Sequence, residues 1–533
     1  MKRLCSLILV LCFLLSFLTG CGESSSLIRY DISHRVTNLD PQFATAETDQ
    51  MVIHNLFEGL LRQLPDGSIE NALAEDWSIS DDGLTYIFHL RQDARWHSGQ
   101  AITADDFVFA FRRIFNALSP SPYAQHYLFL QGAKSILENN TNVANLGVRA
   151  PDDYTLEFHL AQADSSFPEK LCHSSAMPCN EEFFNETRGK YGSTLKTTAA
   201  CGPFFLNLWD SEKLYIKKNN SYYDAANVLT PGVYLWIDRE NKGTDNEPVS
   251  LFDLVMDGKS DSCAVTYQQA EHAKASGYNC QEHIGTVWAL VANPKHHQLS
   301  NENIRRSFFH SINREELDGY LIENMVLCDR LISPEISLFT ELYTASTAAD
   351  SDIYEAQLAR DEWQQGLSEI GSLALDSMDL LVPQDGDTPF LCGMLQQMWQ
   401  RNLSAFVNIV ALPADELEQR VAAGDYDLAI VPFTSSSNSP YDVLSRFHSE
   451  SALNAWNYNS ETFDQLLDQA SASSDEDFSR RKYEQAEELL YNDCIVFPMF
   501  YEISYILFAP DVTGIEIYPY GGMVLFKDAI AMR

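Results

Sequence analysis

Leu4 to Leu18 is almost unbroken apolar sequence behind Lys2 and Arg3, and no later stretch of the chain approaches it. The run is shorter than the roughly 20 residues a membrane span needs, and it has the charged, apolar, small-residue layout of a secretion signal. The alternative is an uncleaved N-terminal anchor helix. On either reading the remainder is expected to fold outside the cytoplasm, in water. Without a second apolar segment the chain is not a transporter by itself. At 533 residues it exceeds what one compact core serves, so two or three packed units are expected. Hydrophobic residues at 45% and aromatics at 12% suit a well-buried globular chain and not a disordered one.

The leader ends in Leu18-Thr19-Gly20-Cys21, which resembles the lipobox of bacterial lipoproteins. That resemblance implies cleavage before Cys21, a diacylglycerol thioether on its sulfur and further acylation of its amine. Two or more acyl chains hold a domain at a membrane, whereas one does so only marginally. Residues 1–20 are thus read as a signal peptide and 21–26 as a lipid-anchored tether. The 75 acidic residues against 36 basic ones give a formal net charge of −39. Such a surface repels nucleic acid and anionic headgroups, so neither is an expected partner. Beyond Cys5, Cys12 and Cys21 the chain has Cys172, Cys179, Cys201, Cys263, Cys280, Cys328, Cys392 and Cys494. An even number in an exported chain permits disulfides, with Cys172/Cys179 and Cys263/Cys280 the nearest pairs, and is equally compatible with buried free thiols. The absence of C-x-x-C gives no zinc or thioredoxin-like signal.

Ser33 to Leu61 reads as a strand, a loop around Asn38-Leu39-Asp40-Pro41, and a helix through Ile53, Leu56, Phe57 and Leu60. Pro65-Asp66-Gly67 is a turn by composition. Period-two alternation of Leu84, Tyr86, Phe88 and Leu90, and of Tyr154, Leu156, Phe158 and Leu160, predicts two half-buried strands. Between them Thr103 and Asp106 have the spacing of a capping box. Phe107, Ala110, Phe111, Ile114 and Phe115 follow as an apolar stripe read as core packing. The polar stretch 241–249 reads as a loop. Helices are expected over 303–317, with Ile304, Phe308, Phe309 and Ile312 inward, over 391–403 and over 477–490, and final strands over 495–508. Strands and helices alternate throughout, which makes the class mixed α/β.

No nucleophile elbow, zinc-protease motif, phosphate loop or dinucleotide fingerprint is present. His296-His297 is the most ligand-like pair, but adjacent side chains on an extended loop diverge and rarely chelate one ion. Isolated His310 and His448 read as polar surface or satisfied core. No catalytic residue, metal or cofactor is expected, and nothing compels an enzyme.

Several segments together resemble the family-5 extracytoplasmic solute-binding proteins, the oligopeptide- and dipeptide-binding components of ABC importers. They are Leu39-Asp40-Pro41, Asn55-Leu56-Phe57-Glu58-Gly59-Leu60, and the long block from Leu73-Ala74-Glu75-Asp76-Trp77 through Thr103-Ala104-Asp105-Asp106-Phe107. Cys201-Gly202-Pro203-Phe204, Ile304-Arg305-Arg306, Ile312-Asn313-Arg314-Glu315 and Gly424-Asp425-Tyr426-Asp427 extend the match towards the C-terminus. The resemblance implies a two-lobed periplasmic-binding-protein-like fold of class II type with two hinge strands. Lobe one would comprise 27–70, 198–283 and 500–533, with 71–197 as an inserted subdomain, and lobe two 284–499. Ligand would lie between the lobes and be enclosed by hinge closure. A monomer would then present it to ABC permease subunits.

One departure stands out. The stretch 429–444 aligns with a family segment written G-W-x-A-D-Y-x-D-P, whose first acid often pairs with the peptide α-ammonium. Here that position is Ser436, with Phe433 for the tryptophan and Ser439 for the second acid. A desolvated ammonium facing only a hydroxyl is poorly compensated. Either another carboxylate substitutes, Asp442 and Asp427 being nearest, or the ligand lacks a free amino terminus. The further cleft candidates implied by position are Thr45, Glu47, Tyr123, Tyr127, Trp288, Thr434, Phe500 and Tyr501. The expected function is capture of oligopeptides for import. The alternatives are the same transport role with an oligosaccharide, opine-like compound or metal chelate as cargo, and, from the abundance of carboxylates, an exported hydrolase.

Overall fold

Two strands far longer than the usual five or six residues organise the molecule: Asn279–Ala292 and Val496–Phe508, paired antiparallel. Their pairing runs from Asn279 opposite Phe508 to His283 opposite Ser504, slips, and resumes at Thr286 opposite Glu502. The slip contains Gly285, where an added Cβ would lie 3.1 Å from the Pro519 carbonyl oxygen. This is a computed structural model describing residues 26–533 apart from 33, 117, 140, 165, 240–248, 340, 344–353, 385–387, 452 and 474. The leader, Cys21, most of the tether and nearly all of the loop expected at 241–249 lie outside those residues.

On one side of the crossing the long pair continues through Ser262–Val265, Ile28–Ile32, Gly232–Ile237, Lys213–Lys218 and Phe204–Trp209. On the other it continues through Leu428–Thr434, Met378–Pro383 and Val407–Leu412. The second side is covered on both faces, and successive residues show it. Ala289, Val291, Ala429 and Val431 enter one core with Phe447, Trp456 and Phe463. Leu290, Ala292, Leu428 and Ile430 enter another with Phe308, Trp399 and Phe497. Both sets being apolar, these strands read as continuous hydrophobic runs. The first side shares one core with an antiparallel sheet of Ala74–Ile79, Thr85–Leu90, Thr155–His159 and Val148–Asp152. Two lobes of mixed α/β structure thus share one sheet through two crossing strands.

The alternating segments form adjacent strands, with Tyr86 opposite Phe158 and Phe88 opposite Leu156. Helix Ala104–Ile114 packs Phe107, Phe111 and Ile114 into the same core. At its start the Thr103 amide donates to Asp106 Oδ2 at 3.0 Å, and Trp96 Nε1 donates to the same oxygen at 3.1 Å. Leu39-Asp40-Pro41 is tied to this helix through Asp40, which takes hydrogen bonds from both terminal nitrogens of buried Arg113.

Local chemistry moves several expected boundaries. The first strand is Ile28–Ile32, ahead of the expected start at Ser33. The helix expected through Phe57 and Leu60 is Glu47–Leu56, because the Cys201 and Gly202 amides take the Leu56 carbonyl at 3.0 and 2.8 Å. The single helix expected over 303–317 is two, Glu302–His310 and Arg314–Asp318, since Asn313 caps the second by accepting from the Glu316 amide at 3.1 Å. The strands expected over 495–508 are one, in which Phe500 and Tyr501 pair with Trp288 and Val287. The slip in the long pair follows them, between Glu502 and Ser504. All eight described cysteines are free thiols, so neither Cys172/Cys179 nor Cys263/Cys280 is bridged.

Candidate functional site

Where strand Leu428–Thr434 ends, the chain turns into a short helix, Pro440–Leu444, whose start is capped by Ser439 Oγ accepting from the Tyr441 amide at 3.3 Å. Proline at the first helical position suits that entry. The helix brings Asp442 back over the loop. Its carboxylate accepts from the Ser436 amide at 2.7 Å and the Ser436 hydroxyl at 2.8 Å, with Arg446 Nη2 at 3.4 Å. Arg446 also donates to the Thr434 carbonyl at 2.6 Å. Asp427 faces elsewhere, accepting from the Asp379 amide at 2.9 Å beside His296.

This loop forms one wall of a cavity of about 800 Å³ between the lobes. The opposite wall comes from helix Glu47–Leu56 and the turns after it, from the short helices and loops around 122–135 and 161–177, and from 520–527. Tyr123 donates to the Ala44 carbonyl at 2.5 Å and accepts from Gln50 Nε2 at 3.0 Å, which fixes the loop carrying Thr45. Beside it stand three histidines. Burial pulls His54 down to about 4, and it lowers His126 and His173 as well. Asp442 across the cleft partly opposes that effect at His126. Lower down, Lys170 pairs with Asp164 at 2.5 Å and lies over the rings of Phe129 and, from the other lobe, Tyr441. Glu58 accepts from the Tyr222 hydroxyl at 2.5 Å, and Arg62 bonds Glu70 at 2.7 Å.

The lobes touch around this space. The Gly521 amide donates to the Ser435 carbonyl at 3.0 Å. The Pro65-Asp66-Gly67 turn abuts Asn438 and Ser337 so closely that a Cβ on Gly67 would lie 2.7 Å from Asn438 Nδ2.

Of the residues singled out from the sequence, Thr45, Glu47, Tyr123, Thr434, Ser436 and Asp442 line the cavity together. Five others do not. Tyr127 is buried and bonded to Ser175 and the Lys170 carbonyl. Phe433 stacks with Phe447 in a lobe-two core, and Phe500 is fully buried. Trp288 donates to Glu502 at 3.2 Å, and Tyr501 pairs with Val287 and Val326, so both lie at the hinge rather than the cleft. His54, His126, Glu169, Lys170, Asn438 and Tyr520 line the cavity without having been anticipated. Only Asn438 falls within an aligned motif, at a variable position of the 429–444 stretch, and only the folded arrangement gathers them. Among the described residues no group of histidine, cysteine, aspartate or glutamate is placed to hold a metal ion, and no helix is long and apolar enough to cross a membrane. His296 and His297 lie beside Asp427 and Asp376.

Comparison with known proteins fits this architecture. The family described as bacterial extracellular solute-binding proteins, family 5, Middle, matches residues 68–455. A dipeptide-binding protein of Lactococcus lactis subsp. cremoris is 25% identical over 530 residues, 95% of this chain and 94% of that one. A probable deoxycholate-binding periplasmic protein of Escherichia coli, YgiS, is also 25% identical, over 92% of this chain and 91% of its own. Among solved structures, Listeria monocytogenes OppA bound to peptide superposes with a TM-score of 0.75 at 21% identity, covering 96% of this chain and 99% of that one.

Proposed function

Since the chain belongs to family 5 of the bacterial extracellular solute-binding proteins, we propose that it captures oligopeptides in the cleft between its lobes and delivers them to an ABC permease, tethered to the membrane through lipidated Cys21. The observation that carries this reading is the cavity itself. It holds about 800 Å³, enough for a short peptide, and both lobes wall it, so a ligand inside stabilises the closed state. The dipeptide-binding relative supports the cargo class, and the lipobox supports the anchor.

Asp442 supplies the carboxylate that position 436 lacks. It reaches the same loop through Ser436 and can take a peptide ammonium in exchange for its long contact to Arg446. No chemistry is needed, and the ligand leaves as it came.

A second reading keeps the transport role and changes the cargo. Ser436 and the contact from Arg446 to Asp442 favour it, as does the relative named as a probable deoxycholate binder. Native mass spectrometry of the purified protein, followed by calorimetry with a mixed short-peptide library, deoxycholate and cello-oligosaccharides, separates the two. Peptide heat and intact peptide masses are expected. Heat from bile acid or sugar alone overturns the peptide assignment, and cleaved peptide would indicate a hydrolase.

A further inference from the structure

Most charges that face the cavity already have a partner: Asp164 has Lys170, Asp468 has His448, Lys527 has Asp224, and Asp442 has Ser436 and Arg446. Glu47, Lys134 and Glu450 are exposed. Glu169 is different. It lines the cavity, is only half-buried, and makes no side-chain hydrogen bond or ion pair among the described residues. Its carboxyl thus belongs to a cavity-lining residue and has no partner among the described residues. Burial pushes it up to about 8, the Lys170 charge pulling part of the way back and Asp164 adding to the rise.

Its neighbours share the condition. The Glu169 charge acts on the buried hydroxyls of Tyr520 and, from lobe two, Tyr483. Tyr520 Oη and Ser435 Oγ are both buried on cavity-lining residues, and neither has a partner among the described residues. Their main chains meet through the Gly521-to-Ser435 hydrogen bond at 3.0 Å. Asn438 Nδ2, also without a partner among the described residues, is a donor and suits a ligand carbonyl. Buried polar atoms are costly to leave unpaired, so a set of them around one cavity marks what the cavity is built to hold. An ionised carboxylate only accepts, and a phenol or serine oxygen, which also donates through its own O–H, can turn a lone pair towards a donor. Ammonium and guanidinium groups carry only donors. A cation can be met by all three oxygens and pairs with the charge that Glu169 then regains, whereas an apolar group would leave all three unsatisfied.

We propose that Glu169, with Tyr520 and Ser435, forms a subsite for a positively charged side chain, lysine- or arginine-like, of the bound peptide. This deepens the peptide-binding reading and rests on it. A cation at the subsite draws the carboxyl back to its ionised form, so a proton leaves Glu169 for the buffer as the ligand enters.

Calorimetry at pH 7 with alanine pentapeptides carrying a single lysine or norleucine at each position in turn tests this, run in two buffers of different ionisation enthalpy. At one position lysine is expected to bind about tenfold or more tighter than norleucine. Only the lysine peptide should show a buffer-dependent heat from the released proton. In Glu169→Gln the lysine-to-norleucine ratio and the buffer dependence should both collapse. Equal affinity for lysine and norleucine at every position, or a preference that survives Glu169→Gln, overturns the subsite while leaving peptide binding standing. No heat from any peptide overturns the peptide reading and the subsite with it.

Discussion

At position 436 a hydroxyl stands where the motif that this segment resembles has an acid, and the Asp442 carboxylate folds back to accept from the Ser436 amide and hydroxyl. Its direction could not be read from the sequence, because it depends on the Ser439 cap and on where the short helix begins. If Asp442 takes the peptide ammonium, Asp442→Ala should weaken peptides with a free amino terminus by about ten- to a hundredfold, the worth of a charge-assisted hydrogen bond. N-acetylated peptides should lose little by calorimetry, and equal losses for both would remove Asp442 from that role. The residue scale also sets a pH signature. Burial holds His54 at about 4, below its ordinary 6.5, so the unfolded chain binds the extra proton and stability is lost as pH falls from 6.5 towards 4. The full effect is up to about 3 kcal/mol. Burial raises Asp106 to about 6, which works the other way: the folded chain holds the proton, and stability falls as pH rises from about 4 to 6. Urea melts between pH 4 and 7 should therefore show a shallower acid loss in His54→Gln and a steeper one in Asp106→Asn.

At the scale of elements, patterning shows where helices and strands lie, and contacts distant in sequence decide where they stop. The apolar stripe of helix Ala104–Ile114 and the alternation of Thr85–Leu90 are local properties, and both were legible. Helix Glu47–Leu56 ends early because Gly202 presses on the next residue so closely that a Cβ there would lie 2.7 Å from the Phe57 carbonyl oxygen. The Cys201-Gly202-Pro203-Phe204 motif was visible in the sequence, but this packing was not. Helix Glu476–Asn492 makes the same point energetically. Glu487 shares its inward face with Tyr483 and Leu490 and is fully buried. Its carboxylate accepts from the Leu331 amide at 2.7 Å, Tyr491 at 2.5 Å and Arg330 at 3.1 Å. Removing one partner of a buried pair costs about 3–5 kcal/mol, because the other charge stays behind in low dielectric. Glu487→Ala should show a loss of that size in urea denaturation. A loss below about 1 kcal/mol would mean that water replaces the carboxylate at no great cost.

For the whole molecule, affinity depends on how readily the lobes come together as well as on what the ligand touches, since a binding-competent state that is partly populated lowers the apparent affinity in proportion. Closure rests on a limited set of contacts: Tyr518, Tyr520 and Met523 packed into the core that holds Phe433 and Phe447, Lys170 over Tyr441, the Gly521-to-Ser435 hydrogen bond, and the turn at Gly67. The composition of Pro65-Asp66-Gly67 gave the turn away, but nothing local said that it meets the other lobe. Gly67 has φ +86° and faces Asn438 Nδ2 and Ser337 Cβ, at 2.7 and 2.9 Å from an added Cβ. Gly99 has φ +92° with nothing within 4 Å of such an atom. An alanine at either position therefore carries the backbone penalty of about 1 kcal/mol, and only the one at Gly67 also wedges the lobes apart. Gly67→Ala should weaken peptide binding by about tenfold and leave the ligand-bound molecule less compact by small-angle X-ray scattering. Gly99→Ala should lower the melting temperature comparably while keeping wild-type affinity and compaction. If the two variants bind and scatter alike, the turn plays no part in closure, and the energy holding the lobes together must come from the ligand and the remaining contacts.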